Sequence, residues 1–169
     1  MARRTSASAA RGSLHARPQV SGHPLGSAKN MCVLRASGPR FAVDRFAEKT
    51  SLPVCNVYRR GEPRLPRSKP RGPKHKSSGI TVVVSDASWS KLPAQVRDAE
   101  RFLSKHKREI KRLSRFPGVD GLVLDFPIHL RIGRKVVAQF DRFPASLVRA
   151  AGQLGVALEL SIYPPRSRR

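Results

Sequence analysis

The chain has 169 residues, 39% of them hydrophobic, and its 34 Lys and Arg against 11 Asp and Glu give a formal net charge of +23. That length suits one domain with a real core plus a tail, and leaves too little chain for a second sizeable core. No apolar run approaches the roughly 20 residues a membrane-spanning helix needs, so the composition predicts a soluble chain, neither membrane-embedded nor wholly disordered.

Residues 1–30 hold five basic residues and no acidic one, with Ser, Ala, Gly and Pro filling much of the rest. Without an apolar h-region this is not a secretory signal. An Arg- and Ser-rich, acid-free leader resembles a mitochondrial transit peptide, but the preferred reading takes Met31 as the start and the leader as translated upstream sequence. Either way its composition predicts disorder. The folded domain is expected over 31–164.

Residues 32–36 read as a strand ended by Ser37-Gly38-Pro39, and residues 41–50, with Phe41, Val43, Phe46 and Ala47, as a short helix of two or three turns. Pro53 opens a second strand at 54–58. In the loop 59–78, the cations Arg59, Arg60, Arg64, Arg67, Lys69, Arg71, Lys74 and Lys76 alternate with Pro63, Pro66, Pro70 and Pro73. Such spacing predicts an extended, self-repelling loop. The β-branched run 79–85 reads as a central strand buried on both faces.

Residues 90–118 form the longest periodic segment. Leu92, Val96, Ala99, Leu103, His106, Ile110 and Leu113 recur at steps of four and three, which predicts one continuous helix with Ser90 as its cap and Pro93 in its first turn. Its other face carries Arg97, Arg101, Lys105, Lys107, Arg108, Lys111, Arg112 and Arg115.

Residues 122–126 are the next strand, broken at Pro127, and residues 128–131 and 136–140 flank Gly133 as a hairpin or edge pair. Pro144 opens a helix through Leu147, Val148, Ala151 and Leu154, with Gly155 just past its end. Val156, Leu158, Leu160 and Ile162 then alternate as a last strand with one buried face. Residues 165–169 make a basic tail. The order predicts an α+β domain: a ferredoxin-like βαββαβ core, an added strand or hairpin and a C-terminal α-β unit, with helices on one face of a mainly antiparallel sheet.

Residues 32–38, Asp44-Arg45-Phe46, 57–62, 79–89, Gln95, Asp98-Ala99, Phe102-Leu103, 116–119 and 158–164 together resemble a group of small bacterial proteins without assigned activity. The resemblance spans about residues 31–164 and implies a bacterial source with Met31 as the start; the chain is read as a cytoplasmic protein. The expected architecture also invites comparison with the RNA-recognition motif, which stacks bases on aromatics of its first and third strands. Residues 32–36 and 78–83 offer no aromatic there.

A chain this basic associates with anionic surfaces at low salt whatever its task, and a GC-rich genome would impose the same Arg, Ala, Gly and Pro bias. Candidate phosphate contacts are the eight loop cations with Arg101, Lys105, Arg108 and Arg112 on the helix. Trp89, the single tryptophan, either packs the helix start onto the sheet or anchors a partner. His106 belongs to the apolar stripe, and Asp125 and His129 share a face only if Pro127 keeps the register. Cys32 and Cys55 lack metal-site spacing and are expected as buried thiols. With no phosphate loop, GxSxG or HExxH, the sequence predicts a non-enzymatic protein-binding or accessory module without a cofactor, and as the alternative a sequence-nonspecific nucleic-acid binder.

Overall fold

The computed structural model describes residues 31–64, 72–133 and 136–164. The leader 1–30, the middle of the basic loop with Arg67, Lys69 and Arg71, and the tail 165–169 lie outside the described residues. Nine elements follow in order: β1 (Cys32–Gly38), α1 (Val43–Ala47), β2 (Val54–Tyr58), β3 (Ser78–Ser85), α2 (Leu92–Lys105), α3 (Lys107–Ser114), β4 (Gly121–His129), α4 (Ala145–Gln153) and β5 (Ala157–Tyr163). The strands form one open sheet in the order β2-β3-β1-β4-β5. Neighbours run antiparallel except β4 and β5, which are parallel and joined through α4.

The period of two along each strand separates the faces. Leu34 stands opposite Val82 and Leu124, and Ala36 opposite Ile80 and Leu122; all are buried in one cluster with the apolar stripes of the helices. Phe46 of α1, Leu103 of α2, Ile110 of α3 and Leu147 of α4 enter that cluster fully buried. The opposite face carries Arg35, Thr81, Val83, Val123, Asp125 and Glu159, and among the described residues no helix lies over it. β3 is therefore lined by core on one side only, and Thr81 and Val83 are half-buried rather than enclosed.

The long helix is two helices. His106 leaves the helical region at φ −105°, ψ 17°, although its N–H still donates to the Phe102 carbonyl at 2.9 Å and its carbonyl accepts from Ile110 N–H at 3.0 Å. The α-helical ladder is interrupted there, and His106 stands as a turn residue between α2 and α3. The bend lets Ile110 and Leu113 reach the core while Glu109 and Arg112 turn toward α1. His106 is half-buried beside the Phe102 ring, 4.6 Å between centroids, and burial pushes its pKa down. Ser90 does not cap: α2 starts at Leu92 after Lys91, with no side-chain cap bond, and the Ser90 hydroxyl meets that of Ser88.

Four more expectations change. α1 is only five residues long, because its end is drawn into the Thr50–Glu109 contact at 3.0 Å. Pro127 does not break β4, since beyond the Val33–Asp125 pair β1 has ended and β4 bonds to β5 alone; a proline is tolerated at such a local edge. The described flanks of the basic loop are not extended coil. Gly61 N–H donates to His75 O, His75 N–H to Glu62 O and Arg64 N–H to Pro73 O, each at 2.8 Å, so the β2–β3 hairpin continues past its strands, with Tyr58 stacked on His75 at 4.4 Å. Last, Val148 and Ile162 are about half exposed instead of buried.

Cys32 and Cys55 are free thiols, on strands separated by β3. Burial pushes both thiols up, Cys32 the further. Cys55 is half-buried and lies at the register shift between Val54 and Asn56, where its thiol faces the Thr81 carbonyl at 3.2 Å.

Acid should destabilise this fold in two stages. A ring that resists protonation when folded lowers stability as the pH falls below the unfolded value of about 6.5. His106→Leu should remove that shallow first stage. Asp98 is held below the usual carboxylate range by the Ser85 hydroxyl and Arg101. Burial pushes Glu109 up, but hydrogen bonds from Arg112, Thr50 and the Ser51 N–H outweigh it. Their contribution is complete above about pH 4 and is lost as the pH falls through the lowered folded values. Thermal midpoints from pH 8 to 3 should show both stages; a midpoint flat to pH 3 would contradict the assignment.

Candidate functional site

The register separates two ends of the sheet. At one, Tyr58, Gly79, Gly38 and Gly121 lie together, and the basic β2–β3 hairpin projects from them. At the other, the C-terminal ends of β3, β4 and β5 converge with the β3–α2 turn and the β4–α4 connection.

Trp89 comes from the β3–α2 turn and lies against the end of the helix-free face, where His129 and Tyr163 are paired in register. Its ring stacks on Tyr163 at 4.6 Å and sits 5.2 Å from His129. It is half-buried, so it packs the turn onto β4 and β5 and leaves a remainder exposed. Trp89 Nε1 and His129 Nδ1 are buried and have no hydrogen-bond partner among the described residues. Asp125 and His129 do share a face, but Asp125 is engaged elsewhere: Arg35 approaches at 3.3 Å and the Ser161 hydroxyl donates to it at 2.6 Å, while Arg35 also reaches Glu159 at 2.7 Å.

Beside the aromatic cluster, residues 130–133 and 136–140 form a short arm. Gly133 and Val136 exchange backbone hydrogen bonds of 2.9 and 3.2 Å, a tight reversal in place of two paired strands. A polar clamp pins its neck. Gln139 Oε1 accepts from Arg131 N–H at 2.7 Å, Gln139 Nε2 donates to Asp141 at 2.7 Å, and the Arg131 guanidinium meets Asp141 at 2.7 Å. Burial pushes Asp141 up, yet these donors hold it below the usual carboxylate range. The clamp holds the arm outward with its apolar side chains in solvent: Val137 is 91% and Phe140 89% exposed.

Between the arm, the start of α2 and the start of α4 lies a cleft of about 540 Å³. Leu92, Val96, Pro144 and Phe140 give it an apolar wall, and Arg97 and Arg142 stand at its rim. The Ser146 hydroxyl donates to Glu100 at 2.6 Å across it, tying α4 to α2.

The predicted phosphate contacts divide. Arg59 is consumed by Asp44 at 2.6 Å and Glu62 at 3.1 Å. Arg101 pairs with Asp98. Arg112 bonds Glu109 at 2.8 Å and Lys49 O at 2.9 Å and lies 5.0 Å over the Phe46 ring, so it is a packing residue. Arg60, Arg64, Lys74 and Lys76 are exposed on the hairpin, and Lys105 and Arg108 at the α2–α3 junction. Among the described residues no group of three or more His, Cys, Asp and Glu could hold a metal ion, and no helix is long and apolar enough to cross a membrane.

No protein-family model, curated protein or solved structure matches the chain.

Proposed function

We propose that this is a non-enzymatic protein-binding or accessory module, acting in a bacterial cytoplasm, that meets its partner with the arm formed by residues 130–133 and 136–140. One observation carries the reading: of eight exposed large hydrophobics among the described residues, Leu130, Ile132, Val136, Val137 and Phe140 lie on this arm. Apolar side chains gathered in one place and held into water by a polar clamp are costly unless something covers them. Trp89 and Tyr163 adjoin the arm through His129 and extend the same surface. A ferredoxin-like description of the first four strands belongs to this proposal; the order β2-β3-β1-β4 with antiparallel neighbours supports it, and β5 is then an addition.

The arm makes few contacts with the core, so Val137→Ser with Phe140→Ser should leave the thermal midpoint within about 2 °C. Truncating central apolar anchors should weaken partner capture from nuclease-treated lysate by roughly 30-fold. Capture equal to wild type would remove the arm from the interface.

The second reading, sequence-nonspecific nucleic-acid binding, is supported by the exposed Arg60, Arg64, Lys74 and Lys76 at the opposite end. Its weakness is the helix-free face: Val33, Arg35, Thr81 and Val83 stand on β1 and β3 where a stacking platform would need aromatics. Changing those four cations to Gln should flatten the log–log salt dependence of single-strand binding by about 3 if they contact phosphates. Submicromolar binding at roughly 0.15 M salt that disappears in this variant would favour nucleic acid over a protein partner.

A further inference from the structure

The cleft at the base of the arm narrows what the partner must look like. Both carboxylates in its wall are already engaged, Glu100 by the Ser146 hydroxyl and Asp141 by Arg131 and Gln139. Among the described residues Arg97 and Arg142 form no ion pair, and both are exposed at the rim. Two uncommitted guanidinium forks therefore border an apolar wall made by Leu92, Val96, Pro144 and Phe140. The wall does not close: through Phe140 it runs on into the exposed side of the arm, a surface suited to an extended chain more than to an enclosed small molecule.

We propose that the cleft receives an acidic peptide segment of a partner protein, one that sets Asp or Glu carboxylates against Arg97 and Arg142 and an aliphatic or aromatic side chain against Phe140. This rests on the arm being the interface. A guanidinium matches a carboxylate through two parallel N–H donors, and an apolar floor strengthens such a pair by excluding water. Recognition of acidic motifs by arginine clusters follows the same logic. The surplus of cations elsewhere would speed encounter with such a segment without fixing where it docks.

Selection of a displayed library of random peptides on the full chain, at roughly 0.15 M salt, tests this, with affinities of the recovered peptides then measured by fluorescence anisotropy. The expected peptides combine Asp or Glu with aliphatic or aromatic residues. They should bind Arg97→Ser/Arg142→Ser and Phe140→Ser roughly 30-fold more weakly, and Arg97→Lys/Arg142→Lys by an intermediate amount. Recovered peptides that depend on Phe140 but are neutral, or ignore both arginines, overturn the acidic assignment and leave the arm as the interface. Peptides that ignore Phe140 as well show that the arm reading itself is wrong. If a single-stranded oligonucleotide displaces the peptides and its own binding needs Arg97 and Arg142, the occupant is nucleic acid and the proposal falls.

Discussion

Phe46→Ala is expected to destabilise the domain by about 3–5 kcal/mol, near the upper end for a single core truncation. α1 has five residues and no side-chain cap, so its own hydrogen bonds cannot hold it in place. Phe46 holds it instead. The ring is fully buried, lies 6.0 Å from Phe41 and 5.2 Å from Phe116 in tilted and edge geometry, and is covered by the Arg112 guanidinium. Truncation would leave a cavity between three elements and expose the packing face of Arg112, whose other bonds go to Lys49 and Glu109. The thermal midpoint should fall by roughly 10–20 °C. A drop of only a few degrees would mean that α1 collapses onto the sheet without its anchor.

Gly118→Ala is expected to cost about 2–5 kcal/mol, from two sources that add. Its φ of 84° is left-handed, and a Cβ there would run into the Arg40 carbonyl and Phe41 N. The opposing strand end is equally tight, since a Cβ at Gly38 would meet the Gly118 carbonyl. Backbone therefore lies on backbone where β1 leaves the sheet and β4 enters it. Gly61 separates the two contributions: its φ is 86°, yet among the described residues nothing lies within 4 Å of the added atom. Gly61→Ala should cost only the conformational share, about 1–2 kcal/mol. Urea unfolding of both variants decides the matter, and equal losses would show that the crossing at Gly118 has room to spare.

Local pattern made the strands and most helices legible, because β-branched runs such as 80–84 and four-and-three spacing such as Leu92, Val96, Ala99 and Leu103 depend on neighbours in sequence. What escaped depends on neighbours in space. The apolar spacing runs unbroken across His106, so a single residue leaving helical geometry has no signature in it. Pro127 looked like a stop because nothing in the sequence says that β1 has already ended beside it. Arg59 and Arg112 each have one partner three residues away, Glu62 and Glu109, which local spacing could have shown, and one that it could not, Asp44 and Lys49, 15 and 63 residues away. At the arm the failure is of another kind: Val136, Val137 and Phe140 carry the composition of a buried strand, and only the Arg131–Gln139–Asp141 clamp reveals that they are held away from the core. Of the two readings of Trp89, its ring does lie against the sheet, but the partners there, His129 and Tyr163, have no signature in the residues around it.

The central position of β1 governs how the domain can be born. Val33 is paired with Val83 on one side and Asp125 on the other, some 50 and 90 residues further along the chain. At synthesis rates of about 5–20 residues per second, β1 leaves the ribosome roughly 5–20 s before its second neighbour is made. Through that interval Leu34 and Ala36 have one flank or none, and the strand is a free edge available to any other extended chain. Refolding should accordingly be slow for a domain this size, in the millisecond-to-second range of topologies dominated by distant pairings. The nascent chain leaves β1 exposed to misassembly over the stretch between the completion of β3 and the emergence of β4, so a translational pause placed there would prolong that hazard, while one after β4 would leave β1 covered and only the β4 edge bare.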